Sequence, residues 1–156
     1  MPTDWTFTTH GAAETQALAA HLGAQLQAGD VLWLSGDLGA GKTTFTQGLG
    51  RGLQIAAPIN SPTFVLMREY HGRLLLYHID LYRLDAARDI DNLGLRDYLE
   101  GDGVCVLEWA ERFDAHETQA GLHLHIEILA AHSRAFHCAA VGTRAEQLLR
   151  QVISKQ

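Results

Sequence analysis

Only two lysines occur in this chain of 156 residues, and one of them, Lys42, stands directly behind Gly36, Gly39 and Gly41. The stretch Gly36-Asp37-Leu38-Gly39-Ala40-Gly41-Lys42-Thr43 fits the pattern G-x-x-x-x-G-K-[ST]. It lies between an apolar run, VLWLSG, and a segment that repeats apolar side chains at Phe45, Leu49 and Leu53. A buried strand before and an amphipathic helix after is the context in which this pattern, the P-loop, binds phosphate. The residue types then have physical reasons. Backbone N–H groups that wrap an anion need side chains out of the way, which glycine allows. A helix opening at Lys42 adds the positive end of its dipole. From there the Lys42 ammonium reaches β- and γ-phosphates, and the Thr43 hydroxyl is placed to ligate Mg²⁺.

Phosphate chemistry at such a loop also needs an acid for the metal and one for the attacking water, commonly from the end of an apolar strand beside the loop. LLLYHID ends in Asp80 and VCVLE ends in Glu108. Strand-terminal carboxylates also start turns and cap helices, and spacing alone does not divide the metal and water roles between the two. Thr63, in Ser61-Pro62-Thr63, is placed either to report on a γ-phosphate as switch loops do or to begin a strand after proline. Trp109 reads as a neighbour of the nucleotide or as a core or rim aromatic. By residue type alone Arg134 is a solvated turn arginine. His123, His125 and Glu127 alternate with Leu122, Leu124, Ile126 and Ile128, the pattern of a half-exposed strand rather than of a metal site. Cys105 and Cys138 fit neither a metal spacing nor a disulfide framework and read as small core residues.

The elements that must hold these groups follow from periodicity. Residues 5–9 read as a strand and 11–27 as a helix with Leu18, Leu22 and Leu26 on one face. Residues 31–35 read as a buried strand and 42–53 as a helix. Gly48, Gly50 and Gly52 fall inside that second helix, each costing about 1 kcal/mol against alanine. Such a departure beside a site points to another constraint, close packing for one. Strands at 63–70 and 74–79 flank His71-Gly72-Arg73, a connection of hairpin length. Residues 84–100 read as one or two short helices broken near Gly94, and 104–108 as an apolar strand. Residues 121–130 and 135–141 read as a second strand pair joined through AAHSR, before a closing helix from Thr143, which has capping-box spacing to Glu146. Antiparallel pairs beside strand-to-helix units predict an α/β fold, a mixed sheet with antiparallel hairpins flanked by helices, in one domain over 1–156.

Composition limits what such a domain does. The chain is 47% hydrophobic and 19% charged, a globular balance. Its net charge is −6 with no run of like charge longer than two residues, so no basic face offers itself to nucleic-acid phosphates. The first residues lack a basic and apolar leader, and no window comes near the roughly 18 apolar residues of a membrane span, so the expected location is the cytosol.

GDLGAGKTTF, SPTF, YHIDLYRL, GLRDYL and LEWAER follow one another along the chain. In these motifs it resembles the bacterial TsaE (YjeE) family, small ATPases of the threonylcarbamoyl-adenosine tRNA modification pathway, and the resemblance runs from the first helix to the last. It implies a P-loop NTPase fold with an atypical sheet that includes antiparallel strands. It implies that the backbone of Leu38, Gly39, Ala40, Gly41, Lys42, Thr43 and Thr44 cradles ATP, with Lys42 on the phosphates. Thr43 and Glu108 would bind Mg²⁺, Asp80 would sit at the catalytic centre, and Ala12 and Arg134 would approach the nucleotide. Thr63 takes the switch-like position. The implied partners are TsaD and TsaB, which carry out carbamoyl transfer on tRNA, so that this acidic chain meets tRNA only through the complex.

Two rival readings share the P-loop. A small-molecule kinase needs a lid with phosphate-clamping arginines, and residues 110–135 hold only Arg112 and Arg134. A nucleotide-gated adaptor would bind ATP without turnover; Asp80 and Glu108 favour hydrolysis.

Overall fold

The apolar runs that flank the P-loop form the middle of a sheet. The computed structural model describes residues 4–60, 67–82, 94–113 and 116–155. Strands β1 (Asp4–Thr9), β2 (Val31–Gly36), β3 (Met67–His71), β4 (Leu75–Asp80), β5 (Val104–Glu108), β6 (Gly121–Ile128) and β7 (Arg134–Val141) are interleaved with helices α1 (Ala12–Gln25), α2 (Lys42–Gly52), α3 (Leu95–Leu99) and α4 (Thr143–Ser154). Seven strands lie in the order β1-β7-β6-β2-β5-β4-β3. The four central strands, β6, β2, β5 and β4, run parallel. Antiparallel pairing adds β7 and β1 on one side and β3 on the other. The predicted mixed α/β sheet is what forms, and both strand pairs read from the sequence are hairpin partners in it.

Strands covered on both faces read as near-continuous apolar runs, and every residue of β5 is buried. On one face Leu32, Leu34, Val104, Val106 and Phe136 pack against Leu22 of α1, Phe45 and Leu49 of α2, and Leu148 and Leu149 of α4. On the other, Trp33, Ile79, Cys105 and Leu107 pack with Leu81, Leu95, Ala110 and Phe113. Cys105 and Cys138 are free and buried, and burial pushes each thiol up to about 12. They are core side chains.

The glycines of α2 answer a packing demand. A Cβ on Gly48 would meet the Gln16 carbonyl oxygen at 2.4 Å, and one on Gly52 would meet that of Ala20 at 2.3 Å. From the α1 side, a Cβ on Gly23 would meet the Leu49 oxygen at 2.5 Å. Helices α1 and α2 therefore touch backbone to backbone, and that contact fixes α2, which begins at Lys42.

Several boundaries differ from the periodicity. α1 stops at Gln25, because Leu26 turns extended and buries itself as the C-cap. β6 stops at Ile128, where Leu129 N–H donates to the Ser133 carbonyl and turns the chain. Thr143 does not cap α4: Gly142 occupies the N-cap position, with no side-chain cap bond, so the capping box does not form. Gly94, left-handed at φ 71°, precedes α3, in agreement with a break at that glycine. Residues 84–93 of the predicted helical stretch, and the start of the strand predicted at 63–70, lie outside the described residues. Among those described, no helix is long and apolar enough to cross a membrane.

Candidate functional site

Parallel strands deliver their carboxyl ends to one edge of a sheet, where α/β proteins place ligands. Here β2, β4 and β5 deliver Gly36, Asp80 and Glu108. Asp80 and Glu108 are register partners, so their side chains leave the sheet on the same face. Between β2 and α2 the chain turns through residues 37–41. Gly39 and Gly41 hold left-handed φ angles of 82° and 108°, which glycine adopts without the penalty a Cβ carries. Ala40 N–H donates to the Asp37 carbonyl at 3.0 Å and Phe45 N–H to the Gly41 carbonyl at 2.9 Å, closing the loop onto the helix.

Arg134 opens β7 and reaches across to this loop. Its Nε donates to the Ala40 carbonyl at 3.0 Å and its Nη2 to that of Gly39 at 3.3 Å, while Nη1 holds the carbonyls of Ala130 and Ser133. It is thus a brace on the loop and not a solvated turn arginine. A trans peptide points its C=O and N–H in opposite directions, so drawing the Ala40 carbonyl toward Arg134 turns the Gly41 N–H the other way. On the far side of the loop Glu111 accepts the Gly36 N–H at 3.0 Å.

Lys42 is largely buried. Its Nζ donates to the carbonyls of Gly36 (2.6 Å) and Asp37 (3.1 Å) and lies 3.7 Å from the centroid of the Trp109 ring, a cation–π contact. Burial lowers its pKa from the ordinary value of 10.5, while the carboxylates of Glu111, Glu108, Asp37 and Asp80 pull the other way. Trp109 takes a left-handed backbone at φ 62° just past β5. Such a conformation is uncommon without glycine. Its ring also meets that of Tyr82, with centroids 4.9 Å apart.

Glu108 is buried at the end of β5. Its two carboxylate oxygens lie 3.4 and 3.5 Å from the Thr43 hydroxyl, and one of them pairs with Nε2 of His78. Burial raises the pKa of Asp80 from 3.8; the Tyr82 N–H, donated to Oδ1 at 2.8 Å, opposes that rise, and the Glu108 charge adds to it.

These groups meet in a cleft of about 540 Å³ lined by Leu38, Gly39, Gly41, Lys42, Thr43, Thr44, Asp80, Glu108, Trp109 and Tyr82. Ala40 is buried beneath the loop. Arg134 acts on the loop from behind, and Ala12 opens α1 outside this lining, a few residues beyond Thr9, the register partner of Arg134. Thr63 lies outside the described residues. Sequence reasoning missed His78, Tyr82 and Glu111, although all three sit inside motifs it had marked. The histidine strand has other partners: His125 pairs with Ser35, His123 with the Gln119 carbonyl, and His137 with Glu127.

What the fold and the loop define together is a nucleotide-binding protein of the P-loop NTPase class. Comparison with known proteins makes the assignment narrower. The sequence model of "Threonylcarbamoyl adenosine biosynthesis protein TsaE" matches residues 9–136. A Bacillus subtilis protein named tRNA threonylcarbamoyladenosine biosynthesis protein TsaE is 44% identical over 140 residues, 89% of this chain and 87% of its own. A Treponema pallidum protein of the same name is 40% identical over 126 residues, 81% and 93% of the two chains. The crystal structure of Bacillus subtilis YdiB superposes with a TM-score of 0.82 at 37% identity, covering 97% of this chain and 95% of that one. The chain belongs to the TsaE family, whose place is in the biosynthesis of threonylcarbamoyladenosine on tRNA.

Proposed function

We propose that this chain binds Mg-ATP in the cleft at the P-loop and hydrolyses it, slowly by itself, to support threonylcarbamoyl transfer to the adenosine beside the tRNA anticodon. It does so in the cytoplasm with TsaB and TsaD, and it meets tRNA only through that complex. The observation that carries the reading is the convergence of Lys42, Thr43, Asp80 and Glu108 on one cleft at the mouth of the loop.

The donor set suits magnesium, which takes hard oxygen ligands: the Thr43 hydroxyl faces the Glu108 carboxylate at 3.4 Å. Thr43 and Glu108 would hold the ion, which when bound neutralises charge on the β- and γ-oxygens. Lys42 exchanges the carbonyls of Gly36 and Asp37 for phosphate oxygens, and the new negative charge restores the basicity that burial has lowered. The loop N–H groups from Leu38 to Thr44 bind the phosphates, held in orientation by Arg134. Asp80, a carboxylate that burial has made more basic, orients the attacking water. Thr63 is assigned the switch position that answers to the γ-phosphate, and Ala12 a place at the edge of the nucleotide.

The test is ATP affinity and phosphate release in Lys42→Ala. Losing a charge-assisted contact worth about 1.5–3 kcal/mol weakens binding roughly 10- to 150-fold and abolishes turnover in a protein whose circular dichroism is unchanged. Equal affinity and turnover in that folded variant would remove the P-loop assignment.

A further inference from the structure

The surroundings of His78 tie it to the two acids of the cleft. It lies on β4 one pleat before Asp80 and is the register partner of Val106, one pleat before Glu108. It therefore leaves the sheet on the same face as both acids. Its side chain is 0% exposed. Nε2 pairs with Oε2 of Glu108, and Nδ1 is buried with no partner among the described residues. A carboxylate only accepts, so at this contact the ring donates Nε2–H to Glu108. An apolar side chain would fill this place in β4 without burying polar atoms. Among the described residues the imidazole makes one bond, to Glu108, and that bond gives the histidine a role here.

We infer that His78 is a positioning residue for the divalent-cation site, holding one oxygen of Glu108 so that the carboxylate keeps facing the Thr43 hydroxyl. This rests on the Mg-ATP reading above. A carboxylate released from the imidazole turns about its terminal bond and is drawn toward Lys42, whose charge it already feels. Groups that hold a metal's ligands typically change metal affinity roughly 10–100-fold when removed.

Three variants separate the bond from the packing. Glutamine places an N–H donor where Nε2 stood, asparagine places one where Nδ1 stood, and leucine supplies volume without a donor. Each protein is checked by thermal unfolding. ATP affinity is then measured in EDTA and across a Mn²⁺ titration, with bound Mn²⁺ followed directly by its electron paramagnetic resonance. All folded variants should bind ATP in EDTA within about twofold of the parent. The half-saturating Mn²⁺ concentration should rise roughly 10–100-fold in His78→Leu and His78→Asn and return to within a few-fold in His78→Gln. Should the leucine variant fail to fold, glutamine against asparagine decides. An unchanged Mn²⁺ midpoint in folded His78→Asn, or equal losses in the glutamine and asparagine variants, overturns the inference alone. A parent protein whose ATP affinity ignores Mn²⁺ overturns the functional reading and this inference with it.

Discussion

Asp80 shows how the site sets function against stability. Its carboxyl is raised above 3.8 chiefly by burial, against the help of the Tyr82 N–H. A group with a raised folded-state pKa contributes stability that is present below its unfolded value and lost as pH rises through the folded one. At neutral pH ionised Asp80 is therefore a net burden on the fold. Asparagine keeps the Oδ1 acceptor for Tyr82 and carries no charge. In protein free of nucleotide and divalent metal, Asp80→Asn should raise the melting temperature at pH 7, and the gain should shrink as pH falls toward 3.8. The same variant should bind ATP nearly as well and hydrolyse it far more slowly. A lower melting temperature at pH 7 would contradict the burial argument. At this scale the sequence was legible where chemistry is contiguous: Lys42 and Thr43 declare themselves within eight residues of Gly36. His78 with Glu108, Glu111 with Gly36 and Arg134 with Ala40 are 30, 75 and 94 residues apart. Only the sheet order brings those pairs together, and no local pattern announces that order.

Among the elements, α1 and α2 form the contact on which the loop depends. Helix propensity alone makes Gly48→Ala a gain of about 1 kcal/mol. The geometry reverses the sign, since the new Cβ would meet the backbone of Gln16 at 2.4 and 2.6 Å and the Ala19 side chain at 2.9 Å. Backbone cannot swing aside as a side-chain end does. Overpacking of this kind typically costs about 1–3 kcal/mol, so the urea midpoint of Gly48→Ala should fall. Because α2 carries Lys42 and Thr43 on its first turn, ATP affinity should fall with it. A midpoint that rises would show that α1 yields at no cost. The periodicity located both helices and both hairpins, and the excess glycine in α2 was itself a readable sign of close approach. Ends were read less well. Leu26 keeps the apolar spacing of α1 but buries itself from an extended backbone, and Thr143 has a cap's spacing without a cap's position. Side-chain periodicity reports which face is buried and says little about where backbone bonding stops.

For the whole molecule, the balance of charge bears on the rate of hydrolysis. Lys42 is the one cation among the described residues that line the cleft, and it faces Asp80 and Glu108. Arg134 holds the carbonyls of its own loop, and the Arg112 guanidinium rests 4.8 Å from the centroid of the Tyr82 ring. Phosphoryl transfer spreads negative charge over the γ-oxygens, and an arginine supplied for that moment is worth on the order of 10³–10⁵ in rate in GTPases. With none free among the described residues at the cleft, the isolated protein should release phosphate slowly. Adding TsaD with TsaB should raise the rate well beyond tenfold, a modest part of what a trans cation supplies. The stimulation should vanish in Lys42→Ala and fall sharply in Thr63→Ala, because one is assigned to hold the phosphate and the other to sense it. With a net charge of −6, the protein alone should not retard tRNA on a native gel at physiological salt, while the assembled complex should. Rapid hydrolysis by the protein alone, indifferent to TsaB and TsaD, would show that the charge is already balanced in cis. Transfer of the γ-phosphate to a small metabolite would instead make the protein a kinase, with water as a competitor and not the substrate.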